Sequence, residues 1–256
     1  MSTQGNPNLH NPQLEGDSFF WKSGPVGVFL SHGYTATTAE IRPLAEKFHQ
    51  RGYTVAAPLL PGHGTQPADL NHVTWQEWVR AGQETLDRLT AHCERVFVGG
   101  ESMGGLVALY LASQNPAVAG ILLYAPAIRL TMSAADRLKL FLGAPFIEQV
   151  PRESLDGKDA WQGYPGLPLR GALELLRFQA ATRSRLANIA QPILIFQGRL
   201  DTTVAPEAGK IIFEGVKSSI KEHHWLENSN HAIPLGPECE QVAKMSIQFI
   251  EKLFHP

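Results

Sequence analysis

Short runs of β-branched and aromatic residues alternate along this chain with longer stretches whose apolar positions recur at helical spacing. Val26–Leu30, Tyr53–Ala57, Arg95–Gly99, Gly120–Tyr124, Pro192–Gln197 and Ile220–Leu226 read as strands, and the Ile193-Leu194-Ile195-Phe196 run is the clearest buried one. Between them, Thr38–Gln50 puts Ile41, Leu44, Ala45 and Phe48 on one helical face, with Gly52 placed to end it. Thr74-Trp75-Gln76-Glu77 has the capping-box pattern and opens a helix towards His92. Gly105–Ser113 is almost wholly apolar and reads as a buried helix, and Pro206–Gly215 and Glu238–Phe254 complete the helical set. Strands and helices in alternation predict a mainly parallel sheet wrapped on both faces. Ser18–Trp21 reads as an extra strand, paired as a hairpin with Val26–Leu30 through Lys22–Pro25. The polar, Pro- and Asn-rich residues up to Glu15 predict a loose arm.

The alternation breaks once. Between Pro126 and Pro192 no core strand is legible. The segment holds helix-like Ala134–Leu142 and Leu169–Leu186, joined by turns around Pro145, Pro151, Pro165 and Pro168. It reads as a cap, residues 127–190, inserted in a single domain that fills 1–256. Its apolar members (Leu138, Phe141, Leu142, Phe146, Ile147, Leu155, Trp161, Leu167) exceed what so small a module needs for itself. Phe141, Phe146 and Trp161 are therefore expected, with Tyr34, to line a substrate pocket.

Gly100-Glu101-Ser102-Met103-Gly104 sits between a strand and an apolar helix, the context in which Gly-x-Ser-x-Gly presents a serine on a sharp turn. A serine hydroxyl becomes nucleophilic only when a base takes its proton, and the base needs an orienting acid. Asp201 directly follows the Pro192–Gln197 strand region, and His231 follows the strand ending at Leu226. Parallel sheets carry their chemistry beyond the carboxyl ends of the strands, and Ser102, Asp201 and His231 all fall at such ends. An oxyanion hole completes the set. Its expected backbone donors are Met103, the residue after the nucleophile, and Tyr34, in Ser31-His32-Gly33-Tyr34 after the Val26–Leu30 strand.

These motifs, with Arg51–Pro58, Leu60-Pro61-Gly62-His63-Gly64, Gln197-Gly198-Arg199-Leu200-Asp201 and Glu227-Asn228-Ser229-Asn230-His231, resemble the α/β-hydrolase carboxylesterases of bacteria, close to the bacterial monoacylglycerol lipases. The resemblance runs from about residue 26 to the C-terminus. It implies an α/β-hydrolase fold, Ser102 as nucleophile, His231 as base, Asp201 as its partner and Tyr34 and Met103 as oxyanion donors. The expected chemistry is ester hydrolysis through an acyl-enzyme, without cofactor, and so small a cap should fill early, which favours short- to medium-chain carboxylic esters. A monoacylglycerol lipase is the alternative enzyme, and a ligand receptor on the same fold the non-enzymatic one. Glu101 departs from relatives that carry an uncharged residue or histidine there. It is expected to point away from the serine towards a polar neighbour.

Composition narrows the picture further. A formal net charge of -2 over 256 residues offers no long-range attraction for nucleic acid or an anionic membrane. Cys93 and Cys239 lack metal-ligand spacing and read as free thiols. The first residues have neither the basic start nor the apolar core of a signal peptide, and no apolar run is long enough to span a bilayer. A small-molecule ester partner, no stable membrane insertion and a cytoplasmic setting are the expectations. His223 and His224, adjacent on a strand, point to opposite faces and cannot share a metal; His10, His49, His72, His92 and His255 show no ligand spacing. His63 reads as structural and His32 as a brace for the oxyanion loop. Asp136, Asp156 and Asp159 lie in the cap, away from the strand ends where an orienting acid belongs, and Glu227 is close enough in sequence to His231 to help position its loop.

Overall fold

In chain order the strands are β1 (Phe19–Trp21), β2 (Val26–Ser31), β3 (Thr54–Ala57), β4 (Arg95–Glu101), β5 (Gly120–Tyr124), β6 (Gln149–Pro151), β7 (Gly166–Pro168), β8 (Ile193–Gly198) and β9 (Lys221–Leu226). The helices are α1 (Arg42–Gln50), α2 (Pro67–Leu70), α3 (Trp75–Thr90), α4 (Met103–Gln114), α5 (Ala134–Gly143), α6 (Leu169–Arg183), α7 (Ala208–Gly215) and α8 (Cys239–Lys252). The structure is a computed structural model and describes residues 2–151 and 159–254. Leu155, Asp156 and His255 lie outside the described residues.

Seven strands form one sheet in the order β1-β3-β2-β4-β5-β8-β9, parallel except for β1. Successive side chains of a strand point to opposite faces, which explains why the central strands are apolar throughout. Ile193 and Ile195 join the layer made with α3, α4 and α7, whereas Leu194 and Phe196 join the layer made with α1 and α8. Each such side chain contributes about 1.5–3 kcal/mol by leaving water. Helix α4 is buried on every side from Met103 to Ala112, because the sheet, α3 and α6 enclose it. Pro43 splits the expected 38–50 helix into a 3-10 turn, Thr38–Glu40, and α1, which places Leu44, Ala45 and Phe48 in the core.

Two expectations are corrected. Strand β1 does not form a hairpin with β2; it pairs antiparallel with β3, with Phe20 opposite Ala56. The Lys22–Pro25 link instead crosses the start of β3, where Ser23 N–H donates to Thr54 Oγ1 and Thr54 Oγ1 donates to the Gly24 carbonyl. The N-terminal arm is not loose either. Thr3 and Leu9 are buried, His10 N–H donates to the Gly163 carbonyl, and Gln162 Nε2 donates to the carbonyls of Asn11 and Leu14. Its polar composition serves these bonds.

The excursion between β5 and β8 holds α5, α6 and the β6–β7 hairpin, around a small core of Leu140, Ala144, Leu169 and Ala172.

Candidate active site

Strand β4 runs into the turn that presents Ser102. The serine has φ 53° and ψ -113°, a backbone conformation that non-glycine residues rarely adopt and that is found mostly at functional turns. Its N–H donates to the Tyr124 carbonyl, which fixes the turn to β5. The flanking glycines are required by space. A Cβ on Gly100 would sit 2.2 Å from the Gly104 carbonyl carbon, and one on Gly104 would sit 2.0 Å from the Ser31 carbonyl oxygen. The motif therefore packs the elbow directly against the end of β2, from which the His32–Tyr34 loop leaves.

His231 Nε2 lies 2.9 Å from Ser102 Oγ, and His231 Nδ1 lies 2.9 Å from Asp201 Oδ2. With Nδ1–H donating to the carboxylate, Nε2 is the lone-pair nitrogen that accepts from the serine. The other Asp201 oxygen accepts the N–H groups of Thr203 and Val204, at 2.7 and 2.9 Å. Burial pushes the Asp201 carboxyl up, but the His231 contact and those two N–H groups outweigh it and hold the group below its ordinary value. The two loops meet because Gly198 lacks a side chain; a Cβ there would lie 2.2 Å from the Ser229 carbonyl. Glu238 secures the histidine loop, accepting from Asn228 N–H and Ser229 Oγ. Glu227 reaches Arg199 of the opposite loop across the surface.

The loop after β2 approaches Ser102 closely, since a Cβ on Gly33 would fall 3.3 Å from Ser102 Cβ. Met103 opens α4, and its N–H, as at the first position of any helix, has no intrahelical acceptor. His32 Nε2 accepts from Leu60 N–H, so its Nδ1–H donates to the Gly33 carbonyl at 2.9 Å. Burial holds His32 below its ordinary value, and holds the neighbouring His63 well below. Both are thus neutral braces, with ring centroids 4.9 Å apart.

Glu101 does not turn away as expected. It is the last residue of β4, opposite Tyr124, and is fully buried, with Oε1 3.5 Å from His231 Nε2. This sets a carboxylate beside the imidazole nitrogen that faces Ser102.

Ser102 opens onto a cavity of about 220 Å³ whose walls include Tyr34, Trp161, Leu130, Met132, Leu167 and Leu175. The Tyr34 hydroxyl donates to the Pro168 carbonyl of the β7 strand, and the ring is left on the cavity wall. Phe141 and Phe146 are not among the lining residues: they are 63% and 88% exposed. Helix α5 packs on α6 through Leu140 and Ala144, which turns Phe141 outwards. Leu130, Met132 and Thr203 escaped the sequence reading because they lie in loops without periodicity. Glu40 and Glu238 escaped it as single acids, although each lies beside a turn or helix start.

A buried Ser–His–Asp hydrogen-bond chain on the strand ends of a helix-flanked parallel sheet defines the class, and the chain belongs to the alpha/beta hydrolase family, whose model matches residues 28–245. Among its relatives is a thermostable monoacylglycerol lipase of Bacillus sp. (strain H-257), 36% identical over 94% of this chain and 97% of the relative. A carboxylesterase of Bacillus subtilis (strain 168) is 29% identical over 92% of this chain and 96% of its own. A solved structure reported with the metagenome-derived lipolytic enzymes LipS and LipT superposes with a TM-score of 0.88 at 32% identity, covering 96% of this chain and 99% of the other. These relatives support carboxylic ester hydrolase activity. Among the described residues no helix is long and apolar enough to cross a membrane.

Proposed function

We propose that this protein is a serine carboxylesterase that hydrolyses short- to medium-chain carboxylic esters through an acyl-enzyme. The observation that carries the reading is the unbroken chain Ser102 Oγ–His231–Asp201, opening onto a small apolar cavity. His231 Nε2 takes the Ser102 proton as Oγ attacks the ester carbonyl carbon. The carbonyl oxygen becomes an oxyanion facing the N–H groups of Met103 and Tyr34. Collapse of the tetrahedral intermediate expels the alcohol, which takes the proton from His231. Water, deprotonated by the same nitrogen, then attacks the acyl-enzyme carbon, and release of the acid restores Ser102. Asp201 holds the imidazole in the tautomer that both steps need. The insertion at 127–190 acts in this reading as a cap within a single 1–256 domain, with Tyr34 and Trp161 on the pocket wall.

Labelling by a fluorophosphonate, together with hydrolysis of p-nitrophenyl butyrate, tests the reading. Both are expected to vanish in Ser102→Ala; a receptor on the same fold would show neither in the parent protein. The second reading, a monoacylglycerol lipase, draws on the Bacillus relative at 36% identity. It predicts that long-chain monoacylglycerols are turned over faster than short esters.

A further inference from the structure

Glu40 takes no part in the steps above, yet its carboxylate is buried and reaches the cavity wall. It ends the 3-10 turn Thr38–Glu40 that Thr37 caps. Its two oxygens bond to two different parts of the molecule. Oε2 accepts the Gly33 N–H at 2.7 Å, and Oε1 accepts the Trp161 indole N–H at 3.1 Å. Gly33 belongs to the loop after β2, Trp161 to the insertion. Hydrogen bonds to an ionised acceptor are about twice as strong as neutral ones. Backbone bonds join the same two segments: Tyr164 N–H donates to the Thr35 carbonyl, and Thr37 N–H to the Gln162 carbonyl.

Gly33 is thereby held on both sides. Its N–H is turned onto Glu40, and its carbonyl receives the His32 Nδ1–H. That carbonyl shares a rigid, planar peptide unit with the Tyr34 N–H, which points the opposite way. Fixing one sets the direction of the other. Glycine is needed here, because a Cβ on Gly33 would lie 3.0 Å from Glu40 Oε2 and 2.7 Å from Glu101 Oε2.

We propose that Glu40 is a positioning residue of the oxyanion hole, tying the Gly33 N–H of the oxyanion loop to the Trp161 indole of the cap and so holding the Tyr34 N–H on its target. The proposal rests on the serine-esterase reading above.

Glu40→Gln keeps the shape but leaves one acceptor oxygen for two N–H donors. Deleting an oxyanion donor outright costs about 10²–10³ in rate, so displacing one should lower kcat for p-nitrophenyl butyrate by roughly 10- to 100-fold. KM should stay within about threefold, and affinity for a trifluoromethyl ketone should fall in step with kcat/KM, because that ligand forms the oxyanion. Trp161→Phe removes the cap-side donor together with part of a ring on the cavity wall, and serves if Glu40→Gln does not fold; a drop of several-fold in both kcat and ketone affinity is expected. A folded Glu40→Gln, or Trp161→Phe in its place, with unchanged kcat and ketone affinity would overturn the proposal. So would a loss confined to KM. Activity that survives Ser102→Ala would overturn the serine reading itself, whereas an inactive Ser102→Ala beside a fully active Glu40→Gln removes only the role of Glu40.

Discussion

On the proposed serine-esterase reading, the size of the cavity beside Ser102 should set the acyl-chain preference. At about 30 Å³ per group, the volume a water molecule takes in the liquid, its 220 Å³ accommodates about seven methylene-sized groups. The ester carbonyl and the first atom of the alcohol occupy about two of them, leaving roughly five for the chain. Each buried methylene contributes about 0.8 kcal/mol, close to a factor of four. From acetate to hexanoate, four methylenes therefore raise kcat/KM by at most roughly 200-fold. Beyond that length the walls formed by Leu130, Met132, Leu167 and Leu175 stop the gain, and longer chains must displace packed side chains or remain in water. The assay is kcat/KM for p-nitrophenyl esters from acetate to laurate, each below its micelle-forming concentration. A maximum between butyrate and octanoate is expected, and Leu175→Phe should move it to shorter chains. A steady climb through laurate would refute the argument and favour the monoacylglycerol lipase reading.

Asp201→Asn should reduce kcat by about 10⁴, since the wrong imidazole tautomer is then favoured; steady-state kinetics that showed near-parental turnover would make another carboxylate the partner of His231. Burial holds His32 and His63 below the ordinary histidine value of 6.5 in the folded chain. Just below that pH the unfolded chain binds protons that the folded one refuses, so acid should destabilise the fold, by up to about 1.4 kcal/mol per pH unit for each histidine. Urea midpoints at pH 7.5 and 5.5 measure this; the slope should shrink in His63→Gln, and a flat profile in the parent protein contradicts the assignment. Gly104→Ala, with its Cβ 2.0 Å from the Ser31 carbonyl oxygen, should lower both the melting temperature and activity, while Gly143→Ala, whose nearest neighbour would be 3.7 Å away, should change neither appreciably.

Much of the fold was legible because the central strands are buried on both faces and must be apolar throughout. The elbow was legible for a related reason: a serine between tightly packed glycines, after a strand and before an apolar helix, admits few other local structures. Asp201 and His231 could be singled out because each lies in the loop that follows a strand. What escaped the reading depended on partners distant in sequence. Phe19–Trp21 reads as a strand, yet nothing local says that its partner is β3 and not β2. The arm reads as loose because its side chains are polar, while its bonds go to Trp161–Gly163 and to Gly64 and Thr65. Phe141 and Trp161 are both large and apolar, and only the packing of α5 on α6 separates an outward ring from one on the cavity wall. Glu101 and Glu40 are single acids whose significance appears only when β2, β4 and the insertion are brought together.

The bonds between the arm and the insertion also fix an order of events during biosynthesis. Asn11 and Gln162 are 151 positions apart, so the arm emerges from the ribosome long before its docking surface exists. Bringing such distant segments together carries a loop-closure cost that is met only when the intervening sheet has already collapsed. Strands β1 to β5 can pair while the arm still waits. The clasp on the Gly33 loop can close only after residue 164 has been made, and a nascent chain stalled short of that point has neither Asp201 nor His231, so on the proposed reading hydrolytic competence arrives last.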